Sequence, residues 1–260
     1  MDFISQGLPL GRWFRIQVVL HFLFFVFAAW FVLKHRDTTG AAFFIALLFG
    51  IVLLHEFGHA FACRAVGGTC DLIVLTPLGG LAFCNPPPNP WPQFVTTACG
   101  PLVNALLIPI CWLGVRFIVP LVPWDSVAAH PLYFVFANGL LLNGALLAFN
   151  LLPIFPLDGG RIFHEILWFV IGYRRSLLIA GMVGTCGGLA LTGLGLGLAR
   201  IVIPLPHWFG DITGYPSLPL GGDMRAGEID LMLAAIGVMA TVYSWGAYRR
   251  AQEMKGWRKT

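Results

Sequence analysis

Charge is what this sequence has least of. Of its 260 residues only 11% are Asp, Glu, Lys or Arg while 58% are hydrophobic, against about 25% charged in an ordinary soluble domain. A soluble globular chain is excluded. Polar stretches are equally scarce: the longest, about residues 204 to 228, is a Pro- and Gly-rich loop too short to build a core of its own. The six cysteines (Cys63, Cys70, Cys84, Cys99, Cys111, Cys186) form no C-x-x-C pair, and four lie in or at the ends of apolar runs. We read them as small buried hydrophobes rather than disulfides or a thiolate metal site. No internal repeat of fixed period is present.

What is there is a series of long apolar runs, at about 16–33, 41–63, 94–119, 132–152, 177–203 and 229–247. Each reaches or approaches the roughly 20 residues a helix needs to cross a bilayer. The expected fold is therefore an all-α polytopic membrane protein of about six transmembrane helices. It forms a single membrane-embedded domain over 1–260, with a core at 10–203, an extracytoplasmic loop at 204–228, a last span at 229–247 and a basic tail at 248–260. The first run follows Arg12 and Arg15, but it is long for a signal sequence and lacks a clear cleavage site, so it is read as retained.

With the N-terminus inside, Arg12, Arg15, Arg64, Arg161, Arg174, Arg175, Arg249, Arg250, Lys255, Arg258 and Lys259 fall on the cytoplasmic side. Lys34, Arg36, Arg116, Arg200 and Arg225 fall outside. The positive-inside rule then puts both termini in the cytoplasm. The net charge of +4 reports this topology and contact with anionic headgroups, not affinity for nucleic acid.

Between the second and third runs lies "GGTCDLIVLTPLGGLAFCNPPPNPWP". Its "DLIVL" and "LAF" flank a Pro-Leu-Gly-Gly turn signal, so it reads as a short hairpin leading into a stiff linker. Such backbone enters a membrane only where protein or water satisfies it. A re-entrant hairpin beside the second span is expected, either as a plug or as an edge strand open to an unwound peptide.

The second run contains "HEFGH". His55 and His59, four apart, share one helix face about a turn from each other, and Glu56 stands roughly 100° away. In the H-E-x-x-H arrangement two neutral imidazoles bind zinc and the glutamate serves as base. The alternative is a polar helix-packing cluster. Ionisable groups inside a span are costly, which favours a functional reading. A catalytic zinc wants a third protein ligand. Asp158, in the broken segment "PIFPLDGG", is the strongest candidate, its alternative role being an N-cap for the helix that starts near Gly160.

"HEFGH", "GPLVN" in the third run and "NLLPIFPLDGG" after the fourth together resemble the site-2 protease family of intramembrane zinc metalloproteases. The resemblance extends over roughly residues 10 to 203, including "IQVVLHFLF" near the start. The family's later pattern is matched by Asn150, Pro153, Pro156, Leu157, Asp158 and Gly159. The plan is similar to the compact prokaryotic branch that includes the sporulation-factor processing protease. The resemblance implies His55, His59 and Asp158 as ligands of one zinc ion and Glu56 as catalytic base. It implies a role for Asn104 at the developing oxyanion or in orienting substrate, against the plainer role of a helix-packing amide. It further implies cleavage of single-span membrane proteins within the bilayer of a prokaryotic plasma membrane, with any regulatory membrane partner unknown. A non-catalytic zinc-binding chaperone or metal transporter is the alternative. Asn150 is read as satisfying backbone at the helix break, and His21, His164 and Glu165 as packing, interfacial or supporting residues.

Overall fold

In the computed structural model the described residues are 7–35, 37–77, 79–118, 121, 130–199, 201–204, 217–220 and 229–254. Arg36, Arg200, Arg225, Lys255, Arg258, Lys259 and most of the 204–228 loop, all used above to argue topology, lie outside them. The chain is mainly helical, as expected, and among the described residues five helices are long and apolar enough to cross a membrane. It divides into two compact units, 1–147 and 148–260.

The first unit opens with strands β1 (Gly7–Trp13) and β2 (Ile16–His21) and helix α1 (Phe22–Lys34), followed by α2 (Thr38–Ala65). The first apolar run is therefore not one span. Ile16, Val18 and Val19 are β-branched and fully or almost fully buried in a strand. His21 then ends the strand and caps α1, its Nδ1 accepting from the Leu23 backbone N–H at 3.2 Å. The 13 residues of α1 reach only about 20 Å, short of a hydrocarbon core of about 30 Å. Among the described residues the roughly six expected spans are thus five long helices and one short apolar helix.

Strands β3 (Thr69–Thr76) and β4 (Gly79–Asn85) form the expected hairpin, but within a larger sheet of order β1-β2-β3-β4. β2 and β3 run parallel, joined through α1 and α2, and the other two pairs are antiparallel. β1 and β2 meet through Phe14 and Arg15, both left-handed with φ of 53° and 64°. Two such residues give a turn whose twist matches the strands, at a cost when neither is glycine. Arg64, in the last turn of α2, holds that turn: it donates to the Phe14, Arg15 and Cys70 carbonyls at 2.7, 3.3 and 2.6 Å. A core of Ile16, Val18, Ile73, Phe49, Val52 and Ala60 seals the sheet on α2.

Helices α3 (Pro90–Ile118) and α4 (Pro131–Asn150) follow, α4 ending where the "NLLP" motif stops helical pairing. α2 and α3 approach closely at Gly58, where a Cβ would lie 2.6 Å from the Cys99 carbonyl oxygen.

The second unit contains α5 (Asp158–Ile171), α6 (Tyr173–Gly195), the short pair β5 (Ile201–Pro204) and β6 (Ser217–Leu220), and α7 (Leu231–Glu253). α6 and α7 pack along small residues: Gly181 abuts Tyr248, Gly184 Ser244, Gly188 Thr241 and Gly195 Ala234. In lipid, where apolar burial does not drive helices together, this closeness supplies van der Waals attraction. Outward-facing apolar residues such as Phe43, Leu106, Val170 and Val242 are widely exposed, as a lipid-facing surface requires.

Candidate metal centre

α2 carries the two histidines deep inside the first unit, His55 5% and His59 7% exposed. Each ring is oriented through Nδ1. His59 Nδ1 lies 2.8 Å from the Thr96 carbonyl oxygen, which only accepts, so Nδ1 carries the proton.

The proton on His55 is fixed from further away. Its Nδ1 lies 2.6 Å from Asn104 Oδ1, Asn104 Nδ2 donates to Asn143 Oδ1 at 2.9 Å, and Asn143 Nδ2 donates to the Gly139 carbonyl at 2.7 Å. A carbonyl at one end dictates every donor before it. Asn143 must turn its NH2 toward Gly139, Asn104 must turn its NH2 toward Asn143, and His55 must donate from Nδ1.

Both rings therefore present lone-pair Nε2 atoms, and these stand 3.1 Å apart. Two lone pairs at that distance repel unless a cation lies against both. Gly100, on α3, faces the same spot: a Cβ there would run into His59 Nε2 and come within 2.8 Å of His55 Nε2. The residues present thus fit a metal ion: two neutral imidazoles, their far nitrogens anchored as metal-ligating histidines require, brought together against a residue with no side chain.

Glu56, next in sequence to His55, meets the hairpin. Its Oε2 accepts from the Ala82 backbone N–H of β4 at 2.8 Å, and Gly80 leaves the room its side chain occupies, since a Cβ there would overlap Glu56 Cγ. The hairpin thus presses its outer strand onto the glutamate.

Asp158 belongs to the second unit. Its backbone is the first residue of α5, with Leu157 at the N-cap making no side-chain cap bond. The capping role is accordingly not the one it fills. Asp158 is 8% exposed. The segment ahead of it is folded tightly: Ile154 N–H donates to the Leu152 carbonyl at 2.7 Å, and the Phe155–Pro156 bond is cis. Gly159 and Gly160 lie against the backbone of Leu151, Leu152 and Ile154, positions any Cβ would contest. Ser244 on α7 donates to the Phe155 carbonyl at 3.3 Å, tying the segment to the helix pair.

Asn104 is wholly buried and both ends of its amide are engaged, by His55 and by Asn143. Asn143 and Gly100 carried no signal singled out in the sequence; "GPLVN" supplied the one hint, its glycine being Gly100 itself. His164 and Glu165 are buried in α5, the His164 ring lying 5.8 Å from Trp168 and 5.1 Å from Tyr173. Burial there pushes the His164 imidazole down to about 4.

Comparison with known proteins meets this geometry from another side. The model of Peptidase family M50 matches residues 43–123 and 115–191, more than half of the chain. The chain belongs to Peptidase family M50. Within the M50 match lie His55, Glu56, His59, Gly100, Asn104, Asn143 and Asp158. A zinc metalloprotease of Methanocaldococcus jannaschii is 32% identical over 79% of this chain and 59% of its own length. The stage IV sporulation protein FB of Bacillus subtilis is 26% identical over 65% of this chain and 56% of its own. This M50 chain therefore spans less than two thirds of the length of the curated relatives it matches. In structure it is similar to a site-2 protease from Methanocaldococcus jannaschii, with a TM-score of 0.59 over 94% of this chain and 95% of that one at 24% identity, which shows a shared fold.

Proposed function

We propose that this multi-pass membrane protein is an intramembrane zinc metalloprotease, one membrane-embedded domain that hydrolyses peptide bonds in or near the transmembrane segments of single-span proteins. The observation that carries the reading is the pair of Nε2 atoms turned on one another beside Gly100, with a glutamate next in sequence. His55, His59 and Asp158 hold one zinc ion; two imidazoles, a carboxylate and an open fourth position suit zinc best. Membership of Peptidase family M50 and the zinc metalloprotease relative support that choice. Bound zinc supplies Lewis acidity, lowering the pKa of water toward neutrality and polarising the scissile carbonyl.

The chain's own residues do the rest. Glu56 accepts the proton of the attacking water and returns it to the leaving amine. The Ala82 N–H steers its carboxylate meanwhile. Asn104 works through His55, keeping the proton on Nδ1 so that Nε2 remains a ligand. Burial of the site excludes bulk water, so the attacking water must arrive by a polar route. In this reading the protein sits in a prokaryotic plasma membrane with both termini in the cytoplasm and the histidines toward the inner leaflet, which the positive-inside excess of basic residues supports for the termini. A transporter or chaperone needs ligands but no adjacent base, and Glu56 is that base.

The test is the full-length Glu56→Gln protein, purified in detergent and assayed for zinc and for cleavage of single-span reporters. Zinc is retained at one ion per chain while cleavage falls by about 10²–10⁴-fold. Undiminished cleavage removes Glu56 as base. Asp158→Ala, measured alongside, loses zinc; full occupancy in that variant removes the third ligand.

A further inference from the structure

Outside the metal centre, the same hairpin holds a second reactive cluster. Cys70 and Cys84 are register partners on antiparallel β3 and β4. Directly opposed residues have Cβ atoms about 4.5–5.5 Å apart, close to the separation a disulfide spans with small adjustment. All six cysteines are free. The two thiols lie close enough to shift one another: the Cys84 thiol, helped by the Arg64 guanidinium and opposed by burial, holds Cys70 below its ordinary range, while Cys70 and burial push Cys84 up. Cys70 is thus the more readily ionised of the two. Cys70 is almost fully buried, but Cys84 is half-exposed and opens the pair to a small oxidant.

The position matters because of what β4 touches. Two residues before Cys84, Ala82 donates to Glu56. Between the two contacts the ladder is broken: β3 spends Asp71 and Leu72 where β4 spends only Phe83, a bulge that loosens the outer strand from its neighbour. β4 pairs with β3 alone among the described strands.

We propose that Cys70 and Cys84 form a reversible disulfide that staples β4 to β3 and holds the hairpin against Glu56, making the protease sensitive to peroxide. The Cys70 thiolate attacks a peroxide oxygen. An S–O bond forms, the O–O bond breaks, and the departing hydroxide takes the Cys84 proton to leave as water. The Cys84 thiolate then attacks the Cys70 sulfenic sulfur; S–S replaces S–O, and the departing hydroxide takes from solvent the proton that Cys70 released on ionising and leaves as a second water. Two thiols lose two electrons and hydrogen peroxide gains them. The disulfide stands on register and chemistry alone, whereas its effect on cleavage rests on the reading of Glu56 as base.

The full chain in detergent, treated with hydrogen peroxide, alkylated and mapped by peptide mass spectrometry, decides both parts. Alkylatable thiols fall from six to four, a linked peptide joins Cys70 to Cys84, and Cys63→Ser leaves the link intact. Six thiols still alkylatable, or a link through Cys63 instead, overturns the pair. Cleavage by the oxidised enzyme drops about tenfold, as expected when a gating segment is fixed, and returns on reduction; Cys84→Ser cleaves without responding to peroxide. A linked peptide with unchanged cleavage overturns the staple's effect on Glu56. If the reduced enzyme cleaves nothing, it is the protease reading that fails, and the thiol map still decides the disulfide.

Discussion

Two helix pairs in this chain are built around glycine, and they use it for opposite ends. Between α6 and α7, Gly181, Gly184, Gly188 and Gly195 each receive a neighbour's backbone or side chain, so that no space is left. Between α2 and α3, Gly58 does the same against Cys99, and Gly100, the next residue along α3, admits the two histidine rings where a Cβ would otherwise stand. The second unit thus spends its small residues on joining helices, the first also on bringing the histidine nitrogens against α3. Buried polar groups divide likewise. α2, α3 and α4 carry His55, His59, Asn104 and Asn143 in one connected network, whereas α6 and α7 bury small hydroxyls such as Ser176 and Ser244 that bond to nearby carbonyls.

Substitutions at matched glycines should pull the two interfaces apart. Gly100→Val is expected to abolish zinc binding and cleavage in a protein that still extracts and purifies as a folded species; metal analysis checks it, and normal zinc content would show that the histidine rings do not depend on that glycine. Gly188→Val should do the reverse, lowering thermal stability by about 1–3 kcal/mol through overpacking while surviving folded protein keeps its zinc.

A smaller effect is expected at the end of the amide relay. Asn143→Leu strands the Asn104 NH2 without its acceptor, and zinc affinity should weaken about 10–100-fold, as for other groups that orient a metal-binding histidine. Competition with a chelator measures it. Unaltered affinity would mean that the relay does not set the His55 proton. Asp230→Ala removes the cap of α7, where the carboxylate accepts from Leu233 N–H at 2.9 Å. It should cost about 1 kcal/mol in thermal unfolding and leave zinc and cleavage untouched.

The unevenness of what could be read from the sequence has the same root. "HEFGH" was legible because a helix repeats every 3.6 residues and charged groups stand out in an apolar run. The hairpin announced itself through its turn residues. Strand β2 did not: Ile-Gln-Val-Val-Leu is as apolar as a span, and hydropathy alone cannot tell a buried strand from the start of a helix. Asn143 was invisible for a different reason. It is one amide among several in α4, and only the approach of Asn104 from α3 gives it a task. Gly100 could be seen as part of "GPLVN", yet no spacing rule says that a missing side chain is the point. Cys70 and Cys84 looked scattered because their partnership depends on register across a bulge.

The Gly139 carbonyl has no proton to give and none to lose across the range in which proteins stay folded. It nevertheless decides, two amides away, which nitrogen of His55 looks outward. A centre wired to an ionisable anchor could reverse its polarity as the surroundings acidified; one referenced to the backbone has no such anchor to lose.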